Sequence, residues 1–184
     1  EQLELLPDFP GYGANVVNDG TYIYANRGNA RTDFWKYNPS TNEWSSLLNT
    51  PLSTYMGTEM VYYNSEIYMV RGYNSANMYK YTIATNTWTA LQSAPVTFYD
   101  DSHIAVVNGE IYVPSGNNTD TFFKYNIENN TWSQLVNTPT TTRYVGLEYV
   151  SGIDKMYLFR GNGTYDFWEY DIDSNTFSGP SYSP

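Results

Sequence analysis

The sequence predicts an all-β fold, a four-bladed β-propeller of four-stranded antiparallel blades, and three observations carry that prediction. One turn motif is written four times: KYNPSTNEW from Lys36, KYTIATNTW from Lys80, KYNIENNTW from Lys124 and EYDIDSNTF from Glu169. Whole columns keep the same period, with Trp44, Trp88, Trp132 and Phe177 spaced 44, 44 and 45 residues apart. Within each period the apolar residues alternate two by two, as in strands, and no stretch sustains a helical period.

Each element follows in order. In the third repeat an inner strand, SHIAVVN, ends at Asn108-Gly109, a strong two-residue hairpin signal, and EIYVPSG returns as the second strand. FFKYNI is the third strand, Asn129-Asn130 the turn, and TWSQLV the outer strand. Asn42, Asn86, Asn130 and Asn175 share one turn column, which suits a positive-φ position that asparagine tolerates. Gly28, Gly72, Gly116 and Gly161 keep the period, as do Tyr24, Tyr68, Tyr112 and Tyr157. A lone four-stranded sheet cannot bury both faces, so neighbouring repeats must stack, and units of about 44 residues imply blades around an axis.

Prolines at Pro7, Pro51, Pro95, Pro139 and Pro184 mark the joins. They divide one domain, residues 1–184, into repeats 8–51, 52–95, 96–139 and 140–184, with residues 1–7 in the phase of 178–184. That overlap predicts a closed ring whose amino-terminal segment, through Leu3, Leu5 and Leu6, lies beside an outer strand of the last blade or of a neighbour. The chain starts at Glu1 partway through a repeat, which implies that upstream sequence has been removed.

Composition excludes several functions. A formal net charge of −10 opposes binding to nucleic acid. No cysteine is present, which removes disulfides, thiolate metal sites and cysteine nucleophiles. No run of 18 apolar residues offers a helical membrane span. A surface of Asn, Thr, Ser and Tyr, with N-x-T sequons at Asn117, Asn129 and Asn162, fits an exported glycoprotein, extracellular or at the cell surface.

The repeated pattern IY-x-x-x-G, Y-x-x-x-T-N-x-W, L-x-x-x-P resembles the kelch repeat over essentially the whole chain. It departs in one place, where the usual glycine pair reads Arg27-Gly28, Arg71-Gly72, Ser115-Gly116 and Arg160-Gly161. The resemblance implies a propeller, and because kelch propellers usually have more blades it brings the alternative that these four belong to a larger kelch propeller. Kelch-like propellers include copper oxidases, but one histidine and no cysteine do not supply their ligands.

Two columns point to chemistry. Asn15, Glu59, His103 and Glu148 occupy one register of the four inner strands, where packing alone would favour valine or alanine. With Asp101 beside them they would suit a divalent cation in the central channel, calcium ahead of zinc or manganese. The competing reading is that Arg27, Arg71 and Arg160 neutralise the glutamates as structural ion pairs, or present an anion site. Tyr55, Tyr99 and Tyr144, in the column of Gly11, would form a ligand rim at the channel mouth.

No nucleophile elbow, metalloprotease helix, phosphate loop or nucleotide fingerprint occurs, so no catalytic residue is assigned. The expectation is a non-catalytic extracellular structural or interaction module whose partners are proteins, itself included through an edge strand or a propeller face. The alternative is a secreted glycan-binding propeller.

Overall fold

The structure, a computed structural model, describes residues 2–99, 103–161 and 163–179. Every regular element among them is a strand. Blade 1 contains β1 (Asn15–Asn18), β2 (Ile23–Asn26), β3 (Phe34–Asn38) and β4 (Glu43–Ser46). Blade 2 contains β5 (Glu59–Tyr63), β6 (Glu66–Val70), β7 (Met78–Thr82) and β8 (Thr87–Ala90). Blade 3 contains β9 (Ala105–Val107), β10 (Glu110–Pro114), β11 (Phe122–Asn126) and β12 (Thr131–Gln134). Blade 4 contains β13 (Gly146–Val150), β14 (Lys155–Phe159), β15 (Phe167–Asp171) and β16 (Thr176–Ser178). Each sheet is an antiparallel meander in chain order, and β1, β5, β9 and β13 are innermost, each abutting the next.

The repeated residues build the joints between blades. Asn42, Asn86, Asn130 and Asn175 all have φ between 51° and 58°. Each side-chain oxygen accepts the hydroxyl of the tyrosine five residues earlier, Tyr37, Tyr81, Tyr125 or Tyr170, at 2.7–2.8 Å. The same oxygens accept backbone N–H groups of Glu4, Leu48, Gln92 and Val136, in the segment entering each blade. The indoles of Trp44, Trp88 and Trp132 then donate to the carbonyls of Glu4, Leu48 and Gln92. Tyrosine, asparagine and tryptophan thus form one latch that holds the incoming linker. Blade 4 has Phe177 where the others have tryptophan, and so lacks the indole donor.

Residues 2–7 therefore act as the linker entering blade 1. They sit on its Asn42 and Trp44, not beside the outer strand of blade 4. The expected location of this segment is corrected: its phase matches a linker, and a linker is held by the blade that follows it.

Three cores lie between blades. Tyr24 and Phe34 of blade 1 pack on Ile67, Met69 and Tyr81 of blade 2. Tyr68, Val70 and Met78 of blade 2 pack on Ile111, Val113 and Tyr125 of blade 3. Tyr112 and Phe122 of blade 3 pack on Leu158, Trp168 and Tyr170 of blade 4. Each fully buried large apolar side chain contributes about 1.5–3 kcal/mol, so these cores dominate the attachment of blade to blade. Among the described residues no such core joins blade 4 to blade 1.

Candidate functional site

The loops that lead into the inner strands and those joining the second and third strands meet on one face, around the channel mouth. The glycine column makes the meeting possible. Gly72 has φ +66°, and a Cβ there would stand 2.2 Å from the carbonyl carbon of Gly57. Gly161 is placed the same way against the carbonyl oxygen of Tyr144, at 2.3 Å.

The inner-strand polar column is partly assembled. The Asn15 side-chain amide donates to Glu59 Oε2 at 2.9 Å, across the junction of blades 1 and 2. His103 Nε2 lies 4.0 Å from Glu59 Oε1, from the side of blade 3. The Glu59 side chain is 18% exposed and that of His103 is 59% exposed. Burial raises the Glu59 carboxyl to about 7, and the hydrogen bond from Asn15 opposes that rise only in part. Asn15 Oδ1 is buried and has no partner.

Glu148 does not join them. It lines a separate cleft of about 440 Å³ with Val17, Val61, Ala105 and Tyr149. Asp101 lies outside the described residues, and among those described no group of three acidic or histidine side chains is placed to hold a metal ion. The structure thus brings together Asn15, Glu59 and His103 of the expected cation site.

The arginines do not neutralise the axial glutamates, and that reading is corrected. Arg27 pairs with Asp8 at 2.8 Å and Asp33 at 3.3 Å, and its Nε donates to the carbonyl of Phe9. Arg160 pairs with Asp166 at 3.0 Å and donates to the carbonyl of Thr141. Arg71 donates to the carbonyl of Ser53 at 3.0 Å. Each guanidinium fastens the end of its second strand to the incoming linker. Ser115, at this position in the third blade, bonds within its own loop, to the hydroxyl and carbonyl of Thr121. Position along the chain placed the arginines near the mouth, but their strand directs them to the linker instead of the axis.

Tyr55 and Tyr144, two of the expected rim tyrosines, have different ring neighbours. Tyr55 meets Tyr73 edge to face at 4.6 Å between ring centroids, and Tyr12 at 6.1 Å. Tyr144 is half exposed at φ 56°, with the Arg143 guanidinium 5.0 Å from its ring centre. Tyr99 is partly buried. Gly11 replaces tyrosine in blade 1 because a Cβ would lie 2.4 Å from that of Asn29. Tyr12 and Tyr73 are rim residues that the repeat columns did not single out. Their signal was deviation, since Tyr73 stands where the equivalent positions are Asn29, Asn117 and Asn162. Tyr12, Met56, Thr58 and Tyr144 enclose a cleft of about 470 Å³ that also contains Glu59. Asn117 and Asn129 are exposed on loops, and Asn162 lies outside the described residues.

No family model matches the chain, and no curated protein matches it. Its fold is similar to that of a solved structure titled "Structure of YjhT", with a TM-score of 0.79 and 17% sequence identity, covering 99% of this chain and 69% of that one. At that identity the likeness is one of fold, and with the four meandering sheets it places the chain among the β-propellers.

Proposed function

We propose that the chain is a non-catalytic extracellular interaction module that holds its partner at the propeller mouth. The observation that carries this reading is the cleft where exposed Tyr12 and Tyr144 stand over Glu59. Tyrosines offer large, rigid, amphipathic contact surfaces, and aromatic side chains are enriched at protein interfaces. The neutral polar composition and the sequons support an exported protein.

A glycan is the second reading, favoured by one feature. Flat aromatic rings beside a carboxyl group and the amide of Asn15 suit a ligand with one apolar sugar face and several hydroxyl donors. Screening against a glycan array and a panel of extracellular proteins tests both. A specific partner should bind the native chain and lose at least tenfold in affinity to Tyr12→Ala/Tyr144→Ala. A partner whose affinity survives that double substitution would move the site elsewhere, and turnover of a bound glycan would end the non-catalytic reading.

A further inference from the structure

Glu59 is a covered carboxyl that no lysine or arginine answers. Asp166, 8% exposed, pairs with Arg160 at 3.0 Å, and Glu66 and Glu110, each 23% exposed, pair with Lys80 and Lys124 at 2.8 Å. Glu59 is 18% exposed, yet among the described residues neither a lysine nor an arginine reaches it. Its neighbours are the Asn15 amide, which donates to Oε2, and His103, whose Nε2 at 4.0 Å stands beyond hydrogen-bond reach of Oε1. The same Asn15 amide keeps its own Oδ1 buried and unpartnered. Glu59 Oε1 and Asn15 Oδ1 are thus two neighbouring acceptors in want of a donor, in a chain whose formal net charge is −10.

The approach to them is aromatic. Glu59 lines the cleft of about 470 Å³ together with Tyr12 and Tyr144, which are 67% and 52% exposed. A ligand arriving from solvent meets the rings before the carboxyl, and the face of a tyrosine ring attracts a cation. A primary ammonium carries three donors and no acceptor, which matches a carboxylate beside an amide oxygen. It would also offset the desolvation that raises the proton affinity of Glu59. The cleft is far larger than a metal ion, and among the described residues no third acidic or histidine side chain completes a coordination shell. Lysine brings its charge on a slim four-carbon stem, which can lie along the rings while the ammonium reaches a covered carboxyl.

We propose that the mouth cleft takes the side chain of a lysine on a partner protein, its ammonium held by Glu59 and Asn15 and its stem by Tyr12 and Tyr144. This assignment rests on the mouth being the docking surface, and it supplies the chemistry by which the partner is recognised.

Titration calorimetry at about pH 8 tests it, with Nα-acetyl-lysine methylamide as the probe and its norleucine and Nε-acetyl-lysine equivalents as uncharged controls. The native chain should bind the lysine probe at least tenfold more tightly than either control. Glu59→Gln should erase that preference, and His103→Ala should keep it. Tyr12→Ala/Tyr144→Ala should weaken the lysine and norleucine probes alike. An unchanged circular dichroism spectrum checks that each variant folds, and the comparison of probes on the native chain needs no variant. Equal binding of the three probes overturns the proposal, as does a preference for lysine that survives Glu59→Gln. Displacement of the probe by calcium or manganese, with loss of binding in His103→Ala, would make this a metal site and overturn it too. So would tighter binding of glucosamine than of the lysine probe, which would assign the cleft to an amino sugar. A protein partner that needs Tyr12 and Tyr144 but is indifferent to Glu59→Gln would sink the lysine and leave the mouth as the docking surface. A partner indifferent to the tyrosines would remove the mouth itself.

Discussion

Asn15 reaches across from blade 1 to donate its amide to Glu59 of blade 2 at 2.9 Å, and this carboxyl is the one whose proton affinity burial most disturbs. The folded chain holds a proton at Glu59 up to about pH 7, whereas the unfolded chain releases it near 4.5. Between those values the folded state binds more protons, so unfolding free energy falls as pH rises. The contribution is complete below the ordinary carboxylate range and lost above 7. Between pH 5 and pH 8 the native chain should lose on the order of 2 kcal/mol through this group. Urea titrations should show that Glu59→Gln removes this part of the slope; an unaltered slope would mean that Glu59 ionises freely in the fold.

The latch at Asn86 holds a tyrosine hydroxyl and a linker N–H on one oxygen, at positive φ. Asn86→Ala should cost about 2–3 kcal/mol, and Asn86→Gly somewhat less, because glycine keeps the turn but not the acceptor. Equal losses from the two would place the whole effect in the hydrogen bonds.

Arg160 and Arg27 hold equivalent posts but differ in what they leave behind. The Asp166 side chain is 8% exposed, whereas Asp33 and Asp8 are 37% and 43% exposed. Arg160→Ala should therefore cost about 3 kcal/mol and Arg27→Ala about 1 kcal/mol or less, read as shifts in denaturation midpoint. The reverse order would refute the account based on a buried, abandoned carboxylate.

Gly72 and Gly20 both have positive φ, and only Gly72 is crowded, Gly20 having open space around it. Gly20→Ala should cost about 1 kcal/mol, the conformational term alone. Gly72→Ala adds a collision with the backbone of Gly57 and should cost about 3 kcal/mol or more. Comparable melting temperatures for the two variants would show that the loop yields.

Deleting residues 1–6 should lower stability by about 1–2 kcal/mol, because Asn42 and Trp44 lose the linker that they hold. Trp fluorescence should report the change at Trp44. Unaltered denaturation and emission would make the segment a passive end.

The fold was legible because a period of 44 residues repeats in the packing residues themselves, from the turn asparagines to the tyrosines they accept. The Asn15–Glu59–His103 grouping was legible for the same reason, as one register on adjacent innermost strands. What sequence could not give was direction. Glu148 shares the register of Glu59 yet opens on a different cleft, and the arginines lie near the mouth yet turn to the linkers. Tyr12 and Tyr73 were invisible to a reading of shared columns, since both depart from their columns.

The latch has a consequence for how the polypeptide is made. Every strand pairing is local to a single blade, and each linker finds its asparagine and tryptophan only 38 to 40 residues further on. Contacts so close in sequence favour rapid folding. As the nascent chain leaves the ribosome, each blade can close as soon as its fourth strand emerges, while the linker behind it waits unclasped for the next blade. Biogenesis then advances by one blade at a time, and at each step only the newest face is bare.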